Sequence, residues 1–343
     1  FYSLFSLLFG IGFSVILTNN AKRGANAIAI FYRRMFILLI IGAIHLFLFW
    51  EGDILFLYAM IGMLLPLFRK ASDRSLIIMA LALICAPLLI DFISVLTQVR
   101  TGEYITNMAI VVDKKTGVPL DDSFASYLFK EGSGWHEWRN WQASGYLYRY
   151  GYIIESNRIP KVIGLFLLGF YAGRKLIFRR LEDYMPLFKK LRFWGFVAGI
   201  PGSIALAYVS LDKYHVPHKL GLIDTALYML TVVPLSLAYV SAICIHWQRS
   251  NGTSWMKILA PIGRMALTNY FLQTLFGIFF FYGVGLGFGG KIGPTLFWPI
   301  AIAFYILQIF LSRFWLSRFN YGPLEWVWRQ FTYGKRLPLL KTK

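Results

Sequence analysis

An imidazole and two carboxyl groups lie within or beside an apolar stretch near the start of the chain. His45 sits inside FILLIIGAIHLFLFW, and Glu51 and Asp53 follow in WEGDILFLY. An ionisable group at bilayer depth costs several kcal/mol, so it usually faces the interior of a helix bundle and often has a function. Imidazole titrates near neutral pH, which suits a general base or a group that binds a proton or an acyl donor. A histidine that simply hydrogen-bonds another helix would explain the same pattern.

Asp53 also admits two interpretations. At the start of a helix its carboxylate would lie at the positive end of the helix dipole and act as an N-cap. Alternatively, it could orient His45 or bind a substrate amine. Eight residues of one straight helix span about 12 Å, which is too far for contact. We therefore expect His45 and Asp53 to meet only if the connection at 49–53 folds back.

A second polar set lies near the end of the chain, in GRMALTNYFLQTLFG. Asn269 and Gln273 are spaced i, i+4 and therefore share one helix face, and Gln308 and Ser312 repeat that spacing further on. Such side chains commonly hydrogen-bond between transmembrane helices. They could also line a polar cavity, where Asn269, Tyr270 and Gln273 would polarise a carbonyl or position an acceptor.

Composition identifies the surroundings of these residues as a membrane. The chain has 343 residues, of which 57% are hydrophobic and only 15% are charged. A helix needs roughly 20 apolar residues to cross the bilayer, and the continuous apolar runs do not alternate as barrel strands would. We predict an all-α integral membrane protein, a polytopic bundle of about nine helices, forming a single membrane domain over 1–343. The predicted spans are 1–17, 30–50, 54–68, 75–96, 161–178, 194–211, 222–246, 265–287 and 296–314.

The distribution of basic residues predicts the orientation of the bundle. Alternate connections hold 24 Lys and Arg residues, whereas the short connections between them hold 3. Cytoplasmic loops of membrane proteins carry this excess. We expect the tail at 315–343 in the cytoplasm and the long loop at 97–160 outside. Because the net charge of +19 would then mostly face anionic lipid headgroups, nucleic-acid binding is not expected.

The predicted outer loop contains GWHEWRNWQASGYLYRYGY, which is dense in aromatic residues and Arg. This composition fits a segment lying at the membrane interface, or a lid that binds a sugar or a polar headgroup over a central cavity. Asp91 and Asp224 lie toward the outer ends of their helices and are interpreted mainly as interfacial. The two cysteines, Cys85 and Cys244, lie in apolar segments and indicate no metal or disulfide site. No metal is predicted.

Several stretches together resemble one bacterial family of membrane proteins. They are FYSLFSLLFGIGF, RRMFILLIIGAIHLFLFWEGDILFLYAMIG, ESNRIPKVIGLFLLGFYAGR and GRMALTNYFLQ followed by GPLEWVWRQFTYGKRLP. Their sequence and spacing resemble the DUF418 (YeiB-like) family over nearly the whole chain. That family in turn resembles transmembrane acyltransferases, including the acyltransferase-3 enzymes and heparan glucosaminide acetyltransferase. The resemblance implies a protein of the bacterial inner membrane.

The resemblance also implies a function. Those enzymes move an acyl group from cytoplasmic acyl-CoA to an acceptor, often a sugar, across the membrane. They usually begin with a helix that bears an Asp and an Arg-Gly pair, in the region of the superfamily's catalytic histidine. This sequence begins with Phe1 inside an apolar run. We therefore expect the natural chain to be longer, with about ten helices, and His45 cannot inherit that histidine's role by position.

The leading functional hypothesis is a membrane-embedded acyltransferase with acyl-CoA as donor and a sugar or lipid-linked acceptor. His45 would act as the base and Asp53 would orient it. Basic residues at the cytoplasmic ends would bind the phosphates of CoA; the candidates are Arg33, Arg34, Arg264 and Lys335. A small-molecule transporter using the same polar cavity is the main alternative, and a structural or regulatory membrane protein is the third. The acceptor, the acyl chain and the oligomeric state do not follow from the sequence.

Overall fold

The computed structural model describes residues 2–21, 26–130, 132–211, 216–250 and 255–341. Lys22 and Arg23, which contribute to the first predicted basic connection, lie outside these ranges. The described part is built from α-helices, with no β-strand beyond one isolated bridge. The helices are α1 (Tyr2–Ala21), α2 (Ala27–Ile44), α3 (Leu55–Gly62), α4 (Asp73–Thr97), α5 (Glu103–Thr116), α6 (Phe124–Phe129), α7 (Trp135–Glu155), α8 (Arg158–Arg174), α9 (Met185–Leu211), α10 (Gly221–Arg249), α11 (Met256–Arg264), α12 (Ala266–Phe281), α13 (Pro294–Arg318) and α14 (Pro323–Tyr333).

The prediction of a helical, multi-pass membrane protein is confirmed. Within the described ranges, six helices are long and apolar enough to cross a membrane: Tyr2–Asn20, Ala27–Phe49, Asp73–Thr97, Met185–Val209, Gly221–Arg249 and Pro294–Arg318. Two shorter apolar stretches, Leu55–Phe68 and Ala266–Phe281, coincide with further predicted spans. The predicted span at 161–178 corresponds to the 17-residue α8. The total of nine crossings stays a prediction.

Two compact units make up the chain, and each combines stretches that are distant in sequence. The first unit comprises Phe1–Tyr32, Met60–Glu103 and Tyr152–Ser254, and the second comprises Arg33–Ala59, Tyr104–Gly151 and Trp255–Lys343. His45, Asp53 and the polar residues of α12 all belong to the second unit. The predicted outer loop at 97–160 is largely helical, because it forms α5, α6 and α7 after the end of α4.

Glycines allow very close helix packing in the first unit. A Cβ atom added to Gly10 of α1 would lie 2.0 Å from the carbonyl oxygen of Phe166 in α8. A Cβ atom added to Gly169 of α8 would lie 2.0 Å from the carbonyl oxygen of Leu7 in α1. Small residues at such crossings let two backbones approach in a membrane, where van der Waals packing replaces the hydrophobic effect as the main force between helices. The α1–α8 pair is therefore fixed by two reciprocal glycine contacts.

Candidate functional site

His45 is fully buried in the second unit, and each of its ring nitrogens faces an oxygen. Nδ1 lies 2.9 Å from Asp53 Oδ1, and both side chains are completely shielded from solvent. This contact is an ion-pair approach that does not meet the geometry of a hydrogen bond. On the other side of the ring, Nε2 forms a 2.9 Å hydrogen bond with the Thr274 hydroxyl. The Asp53 carboxylate, the His45 imidazole and the Thr274 hydroxyl thus lie side by side in one row of polar contacts.

A break in regular helix geometry brings His45 and Asp53 together. His45–Phe49 forms a π-helical turn in which the Trp50 N–H donates to the His45 carbonyl oxygen at 2.8 Å. Such wide turns occur frequently at functional sites. The chain then reverses over 50–54 before α3 begins. The condition stated from the sequence, that the connection must fold Asp53 back, is met.

Gly42 makes this reversal compact. A Cβ atom added there would lie 2.4 Å from the backbone nitrogen of Phe56 and 2.8 Å from its Cα atom. The backbones of α2 and α3 therefore cross in direct contact, one turn before His45. The first turn of α3, and with it Asp53, is held against the helix that carries the histidine.

Asp53 makes both of the contacts considered from the sequence. Its Oδ2 atom accepts a 2.7 Å hydrogen bond from the Phe56 N–H, which caps the start of α3. Its Oδ1 atom faces His45 and also accepts a 3.3 Å hydrogen bond from the Tyr270 hydroxyl. One carboxylate thus uses one oxygen for the helix cap and the other for the histidine, so capping and orientation do not compete.

Aromatic rings enclose the imidazole. The ring centroids of Tyr270 and Phe271 each lie 4.7 Å from that of His45, and those of Phe49 and Trp50 lie 6.4 Å away. Such an enclosure excludes water and lowers the local dielectric constant, which strengthens electrostatic interactions at the ring. The Asp53 carboxylate is well placed to stabilise an imidazolium that forms transiently here.

The polar residues predicted on α12 separate into two faces. Tyr270 faces His45, whereas Asn269 and Gln273 form hydrogen bonds with α13. The Asn269 amide donates to the Ser312 hydroxyl at 2.9 Å. The Gln273 amide donates to Gln308 Oε1 at 2.8 Å. Their contacts match the interhelical interpretation. Thr274 was not predicted from the sequence, although its i, i+4 spacing from Tyr270 places both residues on one helix face.

Glu51 forms a second polar cluster on the same connection. Burial raises the pKa of the Glu51 carboxyl, while its backbone amide and the side chains of Trp141, Gln142 and Arg149 oppose that shift. The Trp141 and Gln142 side chains lie against the Glu51 carboxyl, but Glu51 Oε2, Trp141 Nε1 and Gln142 Oε1 are buried without a hydrogen bond of regular geometry to a described residue. Buried polar atoms of this kind are uncommon and often mark a binding or catalytic site.

The aromatic-rich segment singled out in the sequence covers this connection. It forms α7, whose Tyr146 ring packs edge-on against Phe47 with centroids 5.1 Å apart. The Gln142 amide donates to the Phe49 carbonyl oxygen at 3.3 Å. These contacts give α7 the position that a lid over the His45 site would need.

The basic residues proposed for phosphate binding occupy different settings in the second unit. Arg33 is exposed. The Arg34 guanidinium lies over the Trp328 ring, 4.0 Å from its centroid. Arg264 is exposed and donates to the Asn320 carbonyl oxygen at 3.3 Å. The Trp328 indole also donates to the Arg34 carbonyl oxygen at 3.1 Å, so α14 is anchored against α2.

A buried glutamate fixes the start of α12. Glu325 Oε1 accepts hydrogen bonds from the N–H groups of Leu267 and Thr268 at 2.7 and 3.0 Å, and Oε2 accepts one from the Thr268 hydroxyl at 2.6 Å. The carboxylate thus caps the helix that carries Tyr270 and Thr274. Caps of this kind also lie favourably in the helix dipole.

We expect Glu325→Ala to lower the free energy of unfolding by about 2 kcal/mol or more, because three buried donors lose their acceptor. Glu325→Gln, which keeps one oxygen acceptor, should lose less. Thermal unfolding of the detergent-solubilised variants, followed by Trp fluorescence, measures both. Equal stability of Glu325→Ala and the natural protein would contradict this role.

Comparison with known proteins identifies the family. The chain is 30% identical to uncharacterized protein YxaH of Bacillus subtilis (strain 168) over 342 residues, which cover 98% of this chain and 80% of that protein. It is 28% identical to uncharacterized protein YeiB of Escherichia coli (strain K12) over 347 residues, which cover 97% of this chain and 81% of that protein. The family model described as "Protein of unknown function (DUF418)" matches residues 172–335. The chain belongs to the DUF418 family.

A third relative of this DUF418 protein is the uncharacterized 39.9 kDa protein in the amylase 3' region of Bacillus acidopullulyticus. It is 27% identical over 354 aligned positions that cover the whole of this chain and 82% of the relative. No solved structure matches the chain significantly. The range matched by the family model contains Tyr270 and Thr274, whereas His45 and Asp53 precede it.

Proposed function

We propose that this DUF418 protein is a membrane-embedded acyltransferase that uses His45 as a general base. The observation that carries the proposal is the buried series from Asp53 through His45 to the Thr274 hydroxyl, with 2.9 Å on either side of the ring. A base, an orienting carboxylate and a hydroxyl in this order are the groups that activate an oxygen nucleophile for acyl transfer. The Thr274 hydroxyl marks the direction from which an acceptor hydroxyl would approach His45 Nε2.

The chemistry balances without a further reactant. The acceptor hydroxyl gives its proton to His45 Nε2, and its oxygen bonds to the carbonyl carbon of the acyl-CoA thioester. The carbon–sulfur bond then breaks, and the imidazolium returns the proton to the departing CoA sulfur. The products are an acyl ester and CoA thiol, and His45 ends neutral. Asp53 stabilises the imidazolium between the two proton transfers.

The donor would enter from the end of the unit that carries the basic residues. Arg34 and His45 are eleven residues apart along α2, which corresponds to about 16 Å. The pantetheine arm of CoA is an extended chain of comparable length. Arg33, Arg34 and Arg264 would hold its phosphates, since guanidinium groups bind phosphate oxygens in pairs. Lys335 would contribute a further cation from the segment that follows α14.

The acceptor would bind beneath α7. Glu51, Trp141 and Gln142 form a buried polar cluster in which Glu51 Oε2, Trp141 Nε1 and Gln142 Oε1 make no hydrogen bond of regular geometry to a described residue. A sugar or a polar lipid headgroup supplies hydroxyl groups that can satisfy such a mixed set of donors and acceptors. Aromatic side chains of the same helix would pack against its apolar faces. We therefore propose a hydroxyl-bearing acceptor for this reaction.

The orientation of the protein belongs to the same proposal. We place it in the bacterial inner membrane with its C-terminus in the cytoplasm, on the basis of the alternating distribution of Lys and Arg. Arg33 and Arg34 then lie at the cytoplasmic end of α2, where acyl-CoA is available. His45 lies toward the outer end, so the acyl group would leave on the outer side.

Transfer of label from acyl-CoA tests the function. Full-length protein would be placed in proteoliposomes with labelled acetyl-CoA or longer acyl-CoAs, together with sugar and lipid acceptors, and compared with protein-free liposomes. Protein-dependent label on an acceptor is the expected result. Absence of transfer from every acyl-CoA tested would overturn the proposal.

Thr274→Val separates two versions of the mechanism. If Thr274 only holds the imidazole, the variant loses one neutral hydrogen bond, worth about 1 kcal/mol, and should keep its transfer rate within about tenfold. No label should remain on the denatured natural protein. Label that accumulates on the protein and disappears, together with activity, in Thr274→Val would instead identify Thr274 as a covalent nucleophile.

A transporter is the second candidate, because a buried histidine–carboxylate pair within a membrane segment also suits a proton relay. This function needs proton exchange at His45 without any bond to carbon. Uptake of a labelled sugar or amino acid into proteoliposomes under a pH gradient, without acyl transfer, would favour it over the acyltransferase.

A further inference from the structure

The first unit contains a partly open cavity of about 400 Å³ whose wall carries several charged side chains. Its walls come from α4, the junction of α7 and α8, and α10, and they include Asp91, Arg158, Lys161, Asp224 and Tyr228. This volume is within the range of small-molecule sites. All of its lining residues belong to the first unit, whereas His45 and Asp53 belong to the second. The cavity is therefore not explained by the proposed acyl-transfer chemistry.

Asp91 holds the walls of the cavity together. Its Oδ1 atom accepts a 2.6 Å hydrogen bond from the Asn157 amide, and its Oδ2 atom accepts one of the same length from the Thr225 hydroxyl. The side chain is only 6% exposed, so Asp91 is buried among these helices; the expected interfacial depth stays a prediction. The carboxylate ties α4 to the residue before α8 and to the first turns of α10. Both oxygens are engaged, which makes Asp91 a positioning residue.

Arg158 and Lys161 face the same cavity without an ion-pair partner among the residues described. Lys161 Nζ lies over the Tyr228 ring, 4.3 Å from its centroid, and the Arg158 guanidinium lies 4.9 Å from the centroid of Tyr152. Another cation at the rim, Arg100, instead forms a 3.0 Å ion pair with Glu155. Asp91 and Asp224 lie in the same cavity wall and partly offset the charge of Lys161. Because burial desolvates Lys161 and neither cation forms a direct ion pair among the residues described, the two side chains together favour a bound anion.

The position of these two cations at the start of α8 also favours a bound anion. Arg158 begins the helix and Lys161 lies in its first turn, where no acidic residue is present. Positive charge is unfavourable at this end of the helix dipole, and an anion is favourable there. An anion between Arg158 and Lys161 would therefore offset both the unpaired charges and the dipole.

We propose that this cavity binds a small phosphate ester, as a free molecule or as a lipid headgroup. Arg158 and Lys161 would hold the phosphate oxygens, because guanidinium and ammonium groups are the common phosphate ligands of proteins. Asp224 and Thr225 border the remaining space, and their oxygens can accept hydrogen bonds from hydroxyl groups of the ligand. A polyol phosphate matches this division into a basic and an oxygen-rich wall.

Glycerol 3-phosphate and phosphatidylglycerol are the probes for the two sources. For the free ester, thermal unfolding of the detergent-solubilised protein would be followed by Trp fluorescence, with glycerol as the phosphate-free control. For the lipid, native mass spectrometry would count bound phosphatidylglycerol, with diacylglycerol as control. Stabilisation or retention by either phosphate compound, and not by its control, is expected. No effect of either compound would overturn the proposal.

Variants locate the binding and separate it from general charge effects. Lys161→Gln and Arg158→Gln should each weaken binding roughly 10- to 100-fold, and Lys161→Arg should retain it. Lys190→Gln is the matched control, because Lys190 is an exposed lysine of the same unit and its loss changes the net charge equally. Equal binding by Lys161→Gln and Lys190→Gln would overturn the site assignment.

The unfolding temperature of Lys161→Gln without ligand is a second measurement that distinguishes a binding role of Lys161 from a structural one. Because desolvation is the largest effect on Lys161 and no direct ion pair is lost among the residues described, ligand-free Lys161→Gln should keep its unfolding temperature or raise it, while ligand binding weakens. A structural lysine would behave differently, since its loss would lower the unfolding temperature without ligand. That result would contradict the proposed role of Lys161.

Discussion

Asp53→Asn should lower the rate of the proposed acyl transfer by about 10²- to 10⁴-fold, the range expected when general base catalysis is lost. Asparagine has the same shape as aspartate, and its carbonyl oxygen can still accept the Phe56 N–H that caps α3. It no longer supplies the negative charge that faces His45 Nδ1. The substitution therefore removes the support for an imidazolium while it preserves the local fold. Initial rates in proteoliposomes measure the effect.

Two further measurements make this test specific. His45→Ala should lose activity to a similar extent, and the double variant should be little worse than either single one, because residues that act as a unit are not additive. The unfolding temperature of Asp53→Asn should stay close to that of the natural protein. A variant that folds normally and keeps the natural transfer rate would exclude Asp53 from the mechanism and favour its role as a helix cap alone.

The membrane class and most helix positions follow from sequence because one physical constraint dominates them. A segment that crosses a bilayer must satisfy its own backbone hydrogen bonds and must be apolar over its whole length. This constraint also made His45 conspicuous, since an imidazole in such a segment requires an explanation. It contains no information on which other helix lies opposite the histidine.

The geometry of the site could not be predicted because it depends on exceptions to regular structure. The π-helical turn at His45–Phe49 changes which residues share a face, and the reversal after it brings Asp53 back to the ring. Thr274 shows the same limit, because a threonine in an apolar helix is unremarkable until a partner is known. The i, i+4 rule identified the ladder of Asn269 and Gln273 correctly, yet it could not say that the ladder faces α13.

Asp91 of the first unit shows what hydropathy cannot predict. Asp91 lies close enough to a helix end for an interfacial position to be the simpler expectation. Its burial became evident only when Asn157 and Thr225, from distant parts of the chain, were seen on its two oxygens. Long-range hydrogen bonds of this kind leave no periodic signal in one sequence.

Gly42→Ala should disturb the site more than its size suggests. The added methyl group would meet the backbone of α3 at 2.4 Å, and a backbone cannot move aside as the end of a flexible side chain can. We expect a loss of about 1–3 kcal/mol in unfolding free energy, as for other overpacked interiors. Because α3 carries Asp53, a shift of about 1 Å between the two helices should also lower acyl transfer by as much as 10²-fold.

Gly277→Ala is the matched control for this prediction. Gly277 lies in α12 of the same unit, and a Cβ atom added there would meet nothing within 4 Å. This variant should retain both its unfolding temperature and its transfer rate, since alanine is the better helix former. If Gly42→Ala behaves like Gly277→Ala in both assays, the direct contact between α2 and α3 is not what positions Asp53. If Gly42→Ala alone loses activity, the close crossing of these helices is part of the catalytic arrangement.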